Sequence, residues 1–382
     1  MTKKSQQIDT LTGLRAVAAL WVVLFHATWY FHFNQITAEP LAKSINPNMN
    51  PFIAHGFLGV DIFFILSGFV ISYRYWAIFS EKRLRAFHTF IIHRLARIYP
   101  GFICVYLFSC VLAFGHLTFA PNDLFRTFSH FLNSLPTVIL LLFAWVHINL
   151  TSVVHAFWAA NLPLWSISLE WFAYLCFPFV AMYLPKIKIK WCLLILIMMI
   201  IVLQILIYTY PISFAGEKLH SLSFFIYGFP GIVRVVIEFF IGCVVFMLTQ
   251  SISIQRHSYL NWMTLLSILM ILIIISYTSL TALTIPFIAL FIYCLSQSPR
   301  FLQICFGNKI IVYLGKISYS IYLIHFLILQ IIVIAARHWP SLLSYIGLFG
   351  FIVITIAFSS LLYHGIEKPG RRWIRHFAKG KQ

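Results

Sequence analysis

The stretch Leu11–Phe31, LTGLRAVAALWVVLFHATWYF, decides how the rest of the chain is read. About 20 residues of nearly unbroken apolar character is what a helix needs to cross a bilayer. Only two ionisable side chains interrupt it, Arg15 and His26, eleven positions apart. At about 100° per residue the interval comes to about 1,100°, about 20° beyond three full turns, so both share one helix face. The rise between them is ~16 Å, which puts Arg15 at a membrane boundary and His26 well inside. A titratable group at that depth is costly to hold and points to function. The plainer alternative is a histidine hydrogen-bonded to a neighbouring helix. The polar start MTKKSQQIDT and the lack of an A-x-A-like cleavage site predict a retained helix, not a signal peptide.

The whole chain carries the same signature. Of 382 residues, 61% are hydrophobic, 18% aromatic and only 9% charged, more apolar than a soluble core of that size requires. Apolar runs near 14–31, 57–74, 98–116, 164–185, 191–210, 231–249, 260–277, 282–297, 316–336 and 342–364 predict ten spans. The expected fold is an all-α polytopic membrane bundle, one domain over 1–382 with its core at about 8–372. A further run at 131–148, FLNSLPTVILLLFAWVHI, is predicted to be re-entrant. As an eleventh crossing, the rival count, it would put Lys186, Lys188 and Lys190 outside and invert every later loop.

A net charge of +18 would suit nucleic acid, but its placement does not. With the N-terminus cytoplasmic, every Lys and Arg except Lys43, Arg126, Lys218, Arg234 and Arg337 falls on the inner side. That is the positive-inside pattern, with both termini cytoplasmic and membrane lipid as the basic residues' partner. The seven cysteines lie in apolar segments or on the inner side and form no C-x-x-C pair, so neither a disulfide framework nor a metal site is expected.

Several polar positions recur at helical spacing. Asp61 lies just inside the outer boundary of GFLGVDIFFILSGFVISYRYW, in the same half of the bilayer as His26. A carboxylate there would accept a ring N–H of His26 and fix its tautomer, or else form an ion pair with another helix. Gly59 and Gly68 of that run permit close helix approach. Arg94 and Arg97, in HRLARIYP, share one face at the inner interface. They suit phosphate groups, of a ligand or of lipid headgroups. Ser166, Glu170 and Tyr174 form one stripe and Ser318, Tyr322 and His325 another, while Arg234 and Glu238 sit one turn apart and would pair. The bundle interior is thus expected to hold His26, Asp61, Glu170, Glu238 and His325 around a polar cavity.

Six segments occur in order over residues 8–372: IDTLTGLRAVAALWVVLFH, GFLGVDIFFILSGFVIS, RLARIYP, LWSISLEWFAYLCFP, ISYSIYLIHF and IEKPGRR. Together they resemble the membrane acyltransferase-3 superfamily. The resemblance implies a bacterial inner-membrane O-acetyltransferase. Such an enzyme would move an acyl group, commonly acetyl, from cytoplasmic acetyl-CoA to a glycan hydroxyl on the periplasmic side. The acceptor would be a lipopolysaccharide O-antigen or an exopolysaccharide. It maps the family's Arg-x10-His onto Arg15 and His26, its Arg-x-x-Arg onto Arg94 and Arg97, and its acidic positions onto Asp61 and Glu170. Ile167, Ser168 and Leu169 depart from the usual residues between Trp165 and Glu170. No appended periplasmic esterase-like domain is expected before Gln382. Under this reading Arg15, Arg94 and Arg97 hold the CoA phosphates, His26, oriented by Asp61, is the general base with Glu170 also catalytic, and His325, Tyr322 and Glu238 contact the acceptor. The competing class is a proton-coupled transporter, which also uses intramembrane His, Asp and Glu but has no need of a phosphate grip.

Overall fold

The computed structural model describes residues 3–33, 50–80, 86–117, 135–145, 161–210, 212–214, 217–219, 221–251, 257–297, 299–336, 338–339 and 345–379. Each of the ten predicted runs contains a helix. These are α1 (Lys3–Phe33), α2 (Leu58–Ser80), α3 (Ala86–Leu117), α4 (Trp165–Tyr183), α5 (Ile189–Thr209), α6 (Gly228–Ser251), α7 (His257–Ile274), α8 (Thr284–Ser296), α9 (Ser318–Ala336) and α10 (Tyr345–Leu362). Among the described residues, eight helices are long and apolar enough to cross a membrane, and the apolar parts of α7 and α8 are shorter. Two short helices, Arg300–Phe306 and Lys309–Lys316, follow α8.

The loop between α5 and α6 adds a small departure from an all-helical chain. Ile212–Phe214 and Glu217–Leu219 pair antiparallel, with Ser213 opposite Lys218. The chain also runs on past the last predicted span. A π-helical turn, Tyr363–Glu367, leads into a cationic helix, α11 (Lys368–Lys379). Pro369 explains the widened turn, since it has no N–H for the carbonyl four residues back and its ring would clash there.

Of the stretch 131–148, residues 135–145 are described. One helical turn gives way at Leu141, whose φ of 57° reverses the chain. The returning backbone then docks, Ala144 N–H donating to Ser168 Oγ at 3.1 Å and Gly228 N–H to Ala144 O at 2.9 Å. The break at Leu141 means that the described residues of this stretch form no continuous crossing helix. Its unpaired backbone is satisfied by α4 and α6, as non-helical chain at membrane depth must be.

Glycine brings the two central helices together. A Cβ on Gly68 would stand 2.0 Å from Phe239 O, and one on Gly242 would stand 2.0 Å from Ile65 O. The contact is reciprocal and backbone to backbone, so no side chain can yield. Gly242→Val should therefore separate α2 from α6 and cost more than the ~1–3 kcal/mol usual for overpacking. Thermal unfolding in detergent would show it as a large drop in midpoint, and an unchanged midpoint would refute the close approach.

Candidate active site

α1 and α9 run side by side and in the same direction, and their facing side chains build the upper part of the site. Arg15 Nε donates to Ser318 Oγ at 3.4 Å. Two turns further along α9, His325 Nε2 meets His26 Nδ1 at 3.2 Å. Arg15 and His26 thus share one face, as their spacing requires, and that face is turned toward α9.

The neighbours of the two imidazoles fix where the protons sit. His325 Nδ1 faces two carbonyls, Ile321 O at 3.2 Å and Tyr322 O at 2.8 Å. It must donate to them, so its Nε2 presents a lone pair. That lone pair and Val22 O, at 3.0 Å, both face His26 Nδ1. With two acceptors before it, His26 Nδ1 carries the proton and its Nε2 is left basic. His26 Nε2 has no hydrogen-bond partner among the described residues, and His26 keeps 7% of its surface open.

Asp61 is not the group that orients this histidine. Both of its oxygens accept from Arg234, Oδ1 from Nε at 3.1 Å and Oδ2 from Nη2 at 2.7 Å. Glu238 Oε1 accepts from the same Nε at 3.3 Å. The sequence correctly pairs Arg234 with Glu238 but misses the closer carboxylate, which comes from a different helix. All three side chains are at most 1% exposed. Arg234 also donates to Leu222 O and Phe225 O and stacks over Trp165. This network ties the backbone at Leu222 and Phe225 to α2 and α6, and it corrects the expected placement of Asp61 beside His26.

Below the histidines lies a polar cavity of about 50 Å³, lined by Arg15, Ser67, Ser166, Glu170, Ser318 and Tyr322 among others. Glu170 Oε1 accepts from Ser67 and from Tyr174 OH at 2.6 Å. Tyr322 and Ser166 hydroxyls meet at 2.7 Å, with Pro163 O accepting from Tyr322 at 2.7 Å. Tyr322 lies with its ring 5.8 Å from that of His325, which connects the cavity to the histidine pair.

Two further cations lie behind Tyr174 and Tyr319. Arg94 lies over the rings of Tyr75, Phe90 and Tyr174, and Arg97 over Tyr319 at 4.9 Å. Arg97 also pairs with Glu367, which accepts from Arg371 and, at 2.9 Å, from Ser320 Oγ. Glu367 enters the sequence reading only inside the segment IEKPGRR, with no role of its own. The available signal was its scarcity, as one of nine acidic residues, together with Arg371 one turn later. The result is a column of polar groups running from Arg94 and Arg97, past Tyr174 and Tyr319, to Glu170 and Arg15, then Tyr322 and the histidine pair.

Known proteins resemble this chain over most of its length. The chain is 24% identical over 391 residues to the acyltransferase MdmB of Streptomyces mycarofaciens, covering 97% of this chain and 94% of that protein. It is 23% identical over 397 residues to a Staphylococcus aureus (strain COL) protein named "Putative O-acetyltransferase", and covers 58% of that relative's length. A shorter likeness, 30% over 114 residues, links it to the Caenorhabditis elegans regulator of hypoxia-inducible factor 1, over 28% of this chain and 23% of that one. No solved structure matches it at a significant level. The family model described as "Acyltransferase domain" matches residues 8–364, nearly the whole polar column, and the chain belongs to that membrane acyltransferase-3 family.

Proposed function

We propose that the chain transfers an acyl group, acetyl in the simplest case, from an acyl-CoA on the cytoplasmic side to a hydroxyl of an envelope glycan on the far side. The acceptor class we favour is a lipopolysaccharide O-antigen or an exopolysaccharide. The reading places the chain in a bacterial inner membrane with both termini cytoplasmic. The observation that carries it is the polar column, with arginines at one end and a histidine with a free basic nitrogen at the other.

Acyl-CoA would supply the acyl group activated as a thioester. Arg94 fits a phosphate because its buried Nε has no hydrogen-bond partner, and Arg97 and Arg15 stand nearby on the same side. His26 Nε2 takes the proton of the acceptor hydroxyl as the C–O bond forms. It returns that proton to the departing sulfur as the C–S bond breaks. General-base help of this kind is worth ~10²–10⁴-fold. His325 steadies the imidazolium by accepting from Nδ1 throughout.

Radiolabelled acetyl-CoA offered to membranes containing the protein should label the glycan fraction. Arg94→Ala together with Arg97→Ala should remove that label. No label with the native chain would favour proton-coupled transport instead, and label surviving the double change would make the two arginines lipid anchors.

A further inference from the structure

We infer that Arg371 and Arg375 of α11 bind phosphate groups of the donor, closing a second side of the site that Arg94 and Arg97 open from α3. This rests on the donor reading above. On α11, Lys368, Arg371, Arg372 and Arg375 fall within about 100° of one another, and Trp373 and Phe377 lie opposite. The aromatic face is open, Trp373 being 65% and Phe377 57% exposed. The inward members of the cationic face instead turn toward α3, which is itself cationic at that level. Arg375 lies within electrostatic range of Arg94 and Arg97, and Arg371 of Arg97.

Like charges are not packed together without something between them. Among the described residues one carboxylate serves this group, Glu367, and it is engaged by Arg97 and Arg371. Arg94 and Arg375 form no ion pair among those residues. The Nε atoms of Arg94, Arg371 and Arg375 are all buried and lack a hydrogen-bond partner, and Arg94 is only 8% exposed. Buried guanidinium donors left open on several sides of one space suit a ligand with several phosphate oxygens. The helix is held in place for this by Gly370, where a Cβ would stand 2.7 Å from Pro100 Cβ. A phosphate-rich nucleotide such as CoA and the phosphate of an anionic lipid share this chemistry, and the donor reading favours CoA.

The test uses the full-length protein in nanodiscs of zwitterionic lipid, with CoA and pantetheine as probes in calorimetric titration. Arg371→Gln with Arg375→Gln should weaken CoA about 100-fold, as expected for losing two charge-assisted contacts, and leave pantetheine binding unchanged. Arg375→Gln alone should weaken CoA about 10-fold; it breaks no bond in the empty protein, so its fold is not at risk. Arg372→Gln, on the exposed side of α11, should bind CoA as the native chain does. CoA binding within about 2-fold of native in the double variant would overturn the inference while leaving the donor reading intact. Loss of phosphatidylglycerol retention in that variant with CoA binding preserved would also overturn it, in favour of a lipid headgroup. A native chain that binds no CoA at all would remove the donor reading and this inference together.

Discussion

His26→Gln is expected to reduce acyl transfer by ~10²–10⁴-fold, the range set by losing a general base, with the amount of folded protein in the membrane unchanged. The glutamine keeps a polar group at the position but cannot take up a proton. His325→Phe is expected to act on the same step more gently. It removes one of the two acceptors facing His26 Nδ1, while Val22 O still holds the tautomer. What disappears is a hydrogen bond to the cationic imidazolium, worth ~1.5–3 kcal/mol. That corresponds to a fall of ~10–150-fold in kcat with KM little changed. Labelled-acetate transfer to the acceptor measures both. Native activity in His26→Gln would sink the assignment, and native activity in His325→Phe would reduce the histidine contact to packing.

The second large effect concerns stability and separates two roles for Asp61. Asp61→Asn leaves Arg234 buried without its closest counter-charge, and breaking a buried pair in this way costs ~3–5 kcal/mol. Most of the protein should then be lost from the folded fraction in size-exclusion profiles. Adding Arg234→Met should restore much of the stability, since the stranded charge is gone. The recovered double variant should still transfer acetyl. If Asp61 instead served His26 directly, Asp61→Asn would fold normally and fail only in turnover, and the double variant would remain inactive.

The sequence was informative wherever the physics is local. The run lengths predicted ten spans; each run holds a helix, and among the described residues eight are long and apolar enough to cross a membrane. The interval between Arg15 and His26 gave their common face correctly, because helical period needs no knowledge of neighbours. Partner identity was harder. Asp61 could be placed at a depth but not against a particular helix, and Arg234, 173 positions away, occupies the space assigned to His26. His325 was read as an acceptor contact for the same reason, when its ring in fact meets His26. Glu367, quoted only within IEKPGRR, could be given no partner because the apolar period breaks at the π-helical turn before Pro369. Arg371 and Arg375 could be counted as inner-side charge, but the face they show to α3 depends on how α11 packs.

The parallel pairing of α1 with α9 also has a consequence for how the protein is made. The helix bearing His26 is made early, and its partner follows only after the seven helices α2 to α8. Glu367, which holds the arginines in register, is later still. A chain released after α8 would carry His26 with no neighbouring imidazole and no assembled arginine cluster, and it should neither transfer nor hydrolyse a thioester. On the proposed mechanism, synthesis from one end to the other keeps the unfinished protein silent until α9 to α11 are in place.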